Sequence, residues 1–282
     1  MRLRTLPAAG APLILGGVLA YLDHGFSPLI MAYTVVSALA IQIGTNLAND
    51  YFDWKNGADT DKRLGPVRVT QAGLIRSSHV WWGMTVSFAV ATVAGGALML
   101  RGGWPIVGIG GVSIAMGVLY TGGPRPLGYM GLGDLLVLVF FGPVATAGTY
   151  YVNTLSLQWT PIVLGTALGL ISTAIIVINN LRDIDEDRTT GKTTLAVRFG
   201  ARFARWEYAL CMIGGCVIAG GWSVLSGRPW GGVAAGVVGA VAIRLIRRLW
   251  PLNGRELDPL LGQTGRLLLA LSLGVSLGWV IG

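Results

Sequence analysis

The stretch YTVVSALAIQIGTNLANDYFD, residues 33–53, begins as an apolar run and ends with two carboxylates and two carboxamides in its last eight positions. It overlaps an uncharged window, residues 25–49, that is long enough for a helix to cross a lipid bilayer. The stretch therefore predicts a membrane-spanning helix that carries an acidic cluster at its end.

Uncharged windows of this kind recur along the whole chain. Of the 282 residues, 53% are hydrophobic and only 12% are charged, which is too apolar for a soluble domain of this size. The windows cover residues 5–22, 25–49, 77–100, 102–124, 135–181, 208–227, 229–243 and 267–282. Polar residues and a proline interrupt the longest window at residues 153–161, which predicts two spans joined by a short turn. We therefore expect an all-α polytopic membrane protein with nine transmembrane helices, in which residues 1–282 form a single domain.

The distribution of basic residues predicts the orientation of these spans. If the N-terminus is cytoplasmic, every Lys and Arg except Arg101 and Arg228 falls on the inner side, as the positive-inside rule requires. This bias also accounts for the net charge of +8, so the sequence gives no reason to expect a nucleic-acid partner. We expect a multi-pass protein of a bacterial or archaeal inner membrane, with the acidic loops in the cytoplasm.

Two acidic clusters end the second and the sixth predicted helices. Asp50 and Asp53 form the core of the first cluster, and Asp183 and Asp187 form the core of the second. An Asn precedes each cluster by four residues, and this spacing places each set on one helical face. Because the C-terminus of a helix is the negative end of its dipole, each anion there costs roughly 0.3 to 1 kcal/mol. One such cluster could be a solvated loop, but two on the same side indicate that a cation binds between them.

The oxygen donors of these clusters suit a hard divalent cation such as Mg²⁺, which usually completes its shell with water and a phosphate group. The candidate metal ligands are Asn46, Asp50, Asp53, Asp59, Asn179, Asp183 and Asp187. Basic residues beside the clusters would suit the remaining oxygens of a diphosphate. The candidate diphosphate-binding residues are Lys62, Arg68 and Lys192. The sequence therefore predicts a site for a metal-bound diphosphate at the inner face of the membrane.

The segments that carry these residues resemble a known family. NDYFD at residues 49–53 and NNLRDIDED at residues 179–187, followed by GKTTLAVRFG, are similar to the two Asp-rich motifs of the UbiA superfamily of intramembrane aromatic prenyltransferases. The segments RLRTLPAA, GPVRVTQAGLI and YTGGPRPLGYMGLGD are similar to the members that use 1,4-dihydroxy-2-naphthoate. The resemblance extends from residue 2 to about residue 200, and the last three spans match in hydropathy alone. One departure concerns Asp59, which stands six residues beyond Asp53 where the family usually has four.

The resemblance implies a fold and a reaction. The nine helices would surround a central cavity that opens to lipid on one side. A polyprenyl chain would pass from its diphosphate to dihydroxynaphthoate with Mg²⁺ as cofactor, giving a demethylmenaquinol, diphosphate and CO₂. The catalytic residues would be Asp50, Asp53, Asp183 and Asp187, which would fix the metal where charge grows on the departing diphosphate.

The resemblance also implies residues for the aromatic substrate. Arg125 is five positions beyond Tyr120, a spacing at which an Arg is a candidate partner for the substrate carboxylate. Tyr120 and Tyr129 are candidates for the wall around the aromatic ring. The general base stays open among Asp59, Asp61 and Asp187.

Two other functions remain compatible with the sequence. Another acceptor, such as 4-hydroxybenzoate or a haem or chlorophyll ring, would need the same diphosphate site. A cation or dicarboxylate transporter would also use intramembrane carboxylates, but transporter sites usually lie near the bilayer midplane rather than beside basic loops. The position of the acidic clusters therefore favours the enzyme.

Overall fold

The computed structural model describes residues 6–57, 70 and 73–282, and the regular elements in these ranges are all helices. The first half contains α1 (Leu6–Leu22), α2 (Pro28–Lys55), α3 (Ser77–Gly102), α4 (Trp104–Leu119), a 3₁₀ turn (Leu127–Met130), α5 (Gly133–Val139), a π-helical turn (Phe140–Val144) and α6 (Ala145–Thr154). The second half contains α7 (Trp159–Arg182), α8 (Ile184–Thr189), α9 (Leu195–Leu225), α10 (Pro229–Leu249), a 3₁₀ turn (Gly254–Leu257) and α11 (Asp258–Ile281). The all-α prediction is confirmed for these residues.

Seven helical segments in the described part of the chain are long and apolar enough to cross a membrane, with α5 and α6 forming one continuous segment. Two shorter apolar helices, α1 and α4, occupy the positions of the first and fourth predicted spans. The count of nine spans is therefore not confirmed. Helix α4 is short because Gly103, at φ 68°, ends α3 and starts α4 in one tight turn, and because the chain leaves the helix after Leu119.

The turn expected near the middle of the longest apolar window is present. Helix α6 ends at Thr154, Leu155 adopts the left-handed conformation at φ 58°, and α7 begins at Trp159. Pro161 lies in the first turn of α7, where its missing N–H is tolerated. The sequence prediction of two spans joined here is confirmed.

The tightest packing in the bundle surrounds α7. Its side chains Leu164, Leu168, Ile171 and Ile178 are almost completely buried, in one core shared with α1, α9, α10 and α11. Between α5 and α6 the chain kinks at Gly142, which packs so closely on α7 that a Cβ there would lie 2.8 Å from the carbonyl oxygen of Gly165. The helices α2, α3 and α4 contribute far fewer buried side chains, and a cavity lies between them and α7.

Candidate active site

A cavity of about 1120 Å³ runs through the bundle between α2, α3 and α4 on one side and α5, α6 and α7 on the other. One face of α2 lines it from Thr34 to Asp53, which at 1.5 Å per residue is a length of about 28 Å. Most of the wall is apolar, whereas the end near the C-termini of α2 and α7 is acidic. The cavity is therefore a long apolar chamber with one charged end.

The charged end brings both acidic clusters to the same cavity. Six of the seven candidate metal ligands line it, namely Asn46, Asp50, Asp53, Asn179, Asp183 and Asp187. The seventh, Asp59, lies outside the described residues, as do Asp61, Lys62 and Arg68. The members of the first cluster lie on one face of α2, as predicted. The prediction of a single helical face for the second cluster is wrong, because α7 ends at Arg182 and Asp187 lies in the separate short helix α8. Both clusters nevertheless line the same cavity.

Asp53 contacts two residues from distant parts of the sequence, one before and one after the second cluster. Its side chain is buried, and its Oδ1 accepts a hydrogen bond of 2.6 Å from the hydroxyl of Tyr129. Its Oδ2 lies 3.5 Å from the Nζ of Lys192. The same ammonium lies 4.9 Å from the centre of the Tyr129 ring, a cation–π distance. Lys192 therefore places a positive charge beside Asp53, and its assignment to a diphosphate stays a prediction.

Tyr129 also joins two loops through its backbone. Its carbonyl oxygen accepts hydrogen bonds from the N–H of Thr193, at 2.8 Å, and from the hydroxyl of Thr193, at 2.6 Å. The segment after α4 is thereby fastened to the segment after α8. The sequence suggested Tyr129 for the aromatic substrate, and the ring does line the cavity, but the link from its hydroxyl to Asp53 could not be read from spacing.

Asp183 is paired with a neighbour that the sequence did not single out. Arg182, only 2% exposed, donates to both oxygens of Asp183 at 2.7 and 2.6 Å. It also donates to the Oδ1 of Asn179 at 2.8 Å. In the sequence, an Arg at the cytoplasmic end of a predicted helix is explained by the positive-inside rule alone. The ion pair between Arg182 and Asp183 was therefore not predicted.

Asp187 lies in α8, outside the spans, and is 7% exposed. Its backbone carbonyl accepts a hydrogen bond from the N–H of Lys192 at 2.9 Å. Burial raises the pKa of its carboxyl to about 7, because the Lys192 ammonium lowers the pKa less than burial and the charges of Asp183, Glu186 and Asp53 raise it. A bound cation would oppose this shift by favouring the carboxylate.

The residues at this end of the cavity fit Mg²⁺ that is shared with a diphosphate. Within the described ranges, no three His, Cys, Asp or Glu side chains form a complete metal centre of their own. The donors are all carboxylate and carboxamide oxygens: one Asn and two Asp on α2, and one Asn and two Asp in the segment from the end of α7 to α8. Because Mg²⁺ is commonly held by one or two carboxylates together with water and substrate phosphates, this incomplete donor set matches its preference.

The structure does not bring every predicted residue to the cavity. Tyr120 lines it, whereas Arg125 is exposed in the segment after α4 and is not part of the wall, so its assignment to the aromatic carboxylate stays a prediction. Among the described residues, the basic side chains in the wall are Lys192, Arg182 and Arg255. Arg255 was missed because it lies in the part of the chain where the motifs give no guidance.

The fold and this cavity define a class: an intramembrane protein with an acidic pocket at the end of an apolar chamber. The model of the UbiA prenyltransferase family matches residues 10–275. The chain therefore belongs to the UbiA prenyltransferase family.

Sequence relatives cover almost the whole chain. The 1,4-dihydroxy-2-naphthoate octaprenyltransferase of Mycobacterium tuberculosis is 39% identical over 98% of this chain and 93% of its own length. The enzyme of the same name from Haemophilus influenzae is 34% identical over 100% of this chain and 94% of its own.

Solved structures share the fold at low sequence identity. A UbiA homolog from Aeropyrum pernix superimposes with a TM-score of 0.72 at 14% identity, over 100% of this chain and 99% of its own. A homolog from Archaeoglobus fulgidus, bound to DMAPP and Mg²⁺, gives a TM-score of 0.59 at 15% identity, over 97% of this chain and 98% of its own. These matches support the helical architecture described above.

Proposed function

We propose that the chain transfers a polyprenyl group from polyprenyl diphosphate to 1,4-dihydroxy-2-naphthoate, with release of diphosphate and CO₂ and formation of a demethylmenaquinol. The observation that carries the proposal is the meeting of two acidic pairs at one end of a long apolar cavity. The names of the relatives at 34% and 39% identity support the choice of acceptor.

The two ends of the cavity suit different parts of the polyprenyl diphosphate. The apolar chamber would accommodate the prenyl chain, and Asp50, Asp53, Asp183 and Asp187 at the acidic end would hold the metal ions that bind the diphosphate. Lys192, whose side chain is 15% exposed beside Asp53, can turn its ammonium toward the phosphate oxygens. Mg²⁺, when bound, neutralises the negative charge that grows on the departing diphosphate.

The wall beside the acidic end protects the reacting carbon. Cleavage of the allylic C–O bond leaves a cation that water would capture, so the site has to be dry. Leu136 of α5 and, farther from the acidic end, Phe140 and Phe141 of the π-helical turn line the apolar part of the cavity, where they would limit the access of water. Tyr120 also lines the cavity, and the π electrons of its ring can stabilise a nearby cation.

The acceptor carries a carboxylate, and two arginines are candidates to bind it. Arg125 is the choice that the sequence resemblance implies, and Arg255 is the choice that its place in the cavity wall implies. A guanidinium can hold a carboxylate through two parallel hydrogen bonds. Replacing each Arg by Ala and comparing the KM for the aromatic acid with the KM for the diphosphate decides between them, because the true partner changes the first constant far more than the second.

The acidic end of the cavity faces the cytoplasm of a bacterial or archaeal cell in this proposal. The reasons are the concentration of basic residues in the segments at that end and the aqueous location of both substrates' charged groups. A cysteine substituted for Asp185, in the exposed part of α8, tests this orientation. In inverted vesicles it should react with a membrane-impermeant thiol reagent.

The test of the activity uses membranes that contain the chain, Mg²⁺, a polyprenyl diphosphate and a choice of acceptors. We expect dihydroxynaphthoate to be prenylated with release of CO₂, and excess EDTA to stop the reaction. Equal turnover with 4-hydroxybenzoate would assign another acceptor, and turnover that persists in EDTA would remove the metal from the mechanism. Solute flux in liposomes, without any prenyl transfer, would favour the transporter.

A further inference from the structure

A buried guanidinium connects the second acidic pair to the last helix of the bundle. The side chain of Arg182 is 1% exposed and uses its three nitrogens on three different residues. Besides Asp183 and Asn179, it donates from Nη1 to the Oδ1 of Asp258 at 2.8 Å. A buried Arg of this kind holds a fixed orientation, because the N–H groups of its planar guanidinium are hydrogen-bonded to several residues at once.

Asp258 comes from a distant part of the sequence. It is the first residue of α11, it stands 76 positions beyond Arg182, and it lines the same cavity with a side chain that is 30% exposed. The sequence resemblance ends near residue 200, so none of the motifs includes it. Its carboxylate is the point at which α11 reaches the acidic end of the cavity.

The charges of this cluster decide what it offers to a cation. Arg182 and Asp183 alone would cancel each other, and a neutral pair attracts Mg²⁺ poorly. Asp258 adds a second carboxylate to the same guanidinium, so the three groups together carry one net negative charge. Because Arg182 pairs with Asp258 as well as with Asp183, it neutralises the Asp183 carboxylate only in part. The remaining negative charge can attract a cation in the cavity.

We propose that Asp258 is a positioning residue that acts through Arg182: by sharing the guanidinium with Asp183, it holds Asp183 in one orientation and leaves the second acidic pair able to bind a divalent cation. This inference rests on the proposed function, because it assumes that Asp183 is a metal ligand. A carboxylate one guanidinium away from a cation, in surroundings of intermediate polarity, changes the affinity of that cation roughly tenfold. The role of Asp258 is therefore measurable in metal binding itself.

A purely structural role for Asp258 makes a different prediction. If the ion pair only docked α11 against α7, its loss would lower thermal stability and leave the metal affinity of the folded protein unchanged. The measurement is Mn²⁺ binding to the purified full-length protein, followed by electron paramagnetic resonance in the presence of inorganic diphosphate, with thermal unfolding recorded for each variant.

We expect Asp258→Asn to weaken Mn²⁺ binding about tenfold and Asp258→Glu, which keeps the charge, to stay within about threefold of the unmodified protein. The matched control is Asp185→Asn in α8, because the Asp185 side chain is 91% exposed and pairs at 3.6 Å with the exposed Arg188. This control should change the affinity less than twofold, since surface charges are screened by solvent.

Three outcomes would overturn the inference. Tight Mn²⁺ binding by folded Asp258→Asn would show that the Asp258 charge does not act on the site. If that variant does not fold, a tenfold loss in folded Asp258→Glu would show that geometry rather than charge matters. Absence of Mn²⁺ binding in the unmodified protein would overturn the proposed metal site and this inference together, whereas the first two outcomes leave the proposed function intact.

Discussion

The hydroxyl of Tyr129 lies 2.6 Å from the Oδ1 of Asp53, and this hydrogen bond joins the segment after α4 to the first acidic pair. A hydrogen bond to a charged group contributes about 1.5 to 3 kcal/mol, enough to hold the carboxylate in one orientation. Tyr129 lines the cavity, and it is also placed to fix the orientation in which the Asp53 carboxylate would bind a metal ion.

Replacing Tyr129 by Phe should therefore affect the metal more than the aromatic substrate. We expect the half-saturating concentration of Mg²⁺ to rise about tenfold, because Asp53 loses the donor that fixes it, while the KM for dihydroxynaphthoate changes less than about twofold. Steady-state prenyl transfer gives both values. Tyr33→Phe, on the exposed side of α2, is the control. A raised KM for the acceptor at unchanged Mg²⁺ dependence would mean that the hydroxyl serves the substrate instead.

Lys192 should show two effects of opposite sign. Its ammonium lies 3.5 Å from the Oδ2 of Asp53, so in the absence of diphosphate it competes with any metal ion for that carboxylate. Lys192→Met should therefore tighten Mn²⁺ binding measured without diphosphate and, at the same time, raise the KM for the prenyl diphosphate at least tenfold. Lys55→Met, at the exposed end of α2, should do neither. Weaker Mn²⁺ binding in Lys192→Met would contradict the competition.

Metal binding should depend on pH near neutrality. Burial raises the pKa of Asp187 to about 7, so below that pH a proton occupies the carboxylate that the cation needs. The affinity for Mn²⁺ without diphosphate should fall as the pH is lowered from 8 to 6, by up to about tenfold for the last pH unit. In Asp187→Asn this part of the dependence should disappear. An affinity that is constant over this range would remove Asp187 from the metal site.

Glycines line the end of the cavity that is farthest from the acidic residues, and they affect how long a prenyl chain can fit. Gly95 of α3 faces Ser37 of α2, where an added Cβ would lie 3.7 Å from the hydroxyl oxygen. Ser37 stands 16 residues before Asp53, so this region is about 24 Å from the acidic end. Gly110 of α4 also lines the cavity, and an added Cβ there would meet no atom within 4 Å. Because helical Gly costs up to about 1 kcal/mol and no neighbour here requires it, these glycines leave room for a long chain.

Gly110→Leu should accordingly shift the preference toward short donors. We expect kcat/KM for a long polyprenyl diphosphate to fall at least tenfold relative to geranyl diphosphate, because the added side chain occupies the space of the distal chain. Gly108→Leu is the matched control, since Gly108 lies on the same helix with equally open surroundings but outside the cavity wall. An equal loss with both donors in Gly110→Leu would indicate a damaged fold rather than a shortened chamber.

The sequence predicted the parts of the site that depend on local spacing. Asp50 and Asp53 share a helical face because they are three residues apart in α2. The second set does not lie on one continuous helix, because α7 ends at Arg182 and Asp187 belongs to α8. The carboxylates themselves led to the prediction of a cation site, because anions at a helix C-terminus and a membrane surface are otherwise unfavourable. The structure brings both pairs to one cavity, as this argument requires.

The remaining parts depend on contacts between distant segments. The bond from Tyr129 to Asp53 spans 76 residues, and so does the bond from Arg182 to Asp258. Neither pair has a periodic signal, because each contact exists only once the helices have packed. The short α4 was missed for a related reason, since an uncharged window does not reveal that Gly103 will turn the chain.

The most direct test of the account is the binding of a radiolabelled polyprenyl diphosphate to the purified protein when each acidic pair is damaged in turn. Asp53→Asn removes one charge from the pair on α2, and Asp187→Asn removes one from the pair after α7. In the proposed function the two pairs hold a single metal-bound diphosphate between them, so each substitution should lower Mg²⁺-dependent binding at least tenfold. Full Mg²⁺-dependent binding in either variant would contradict the central claim that both pairs serve one ligand.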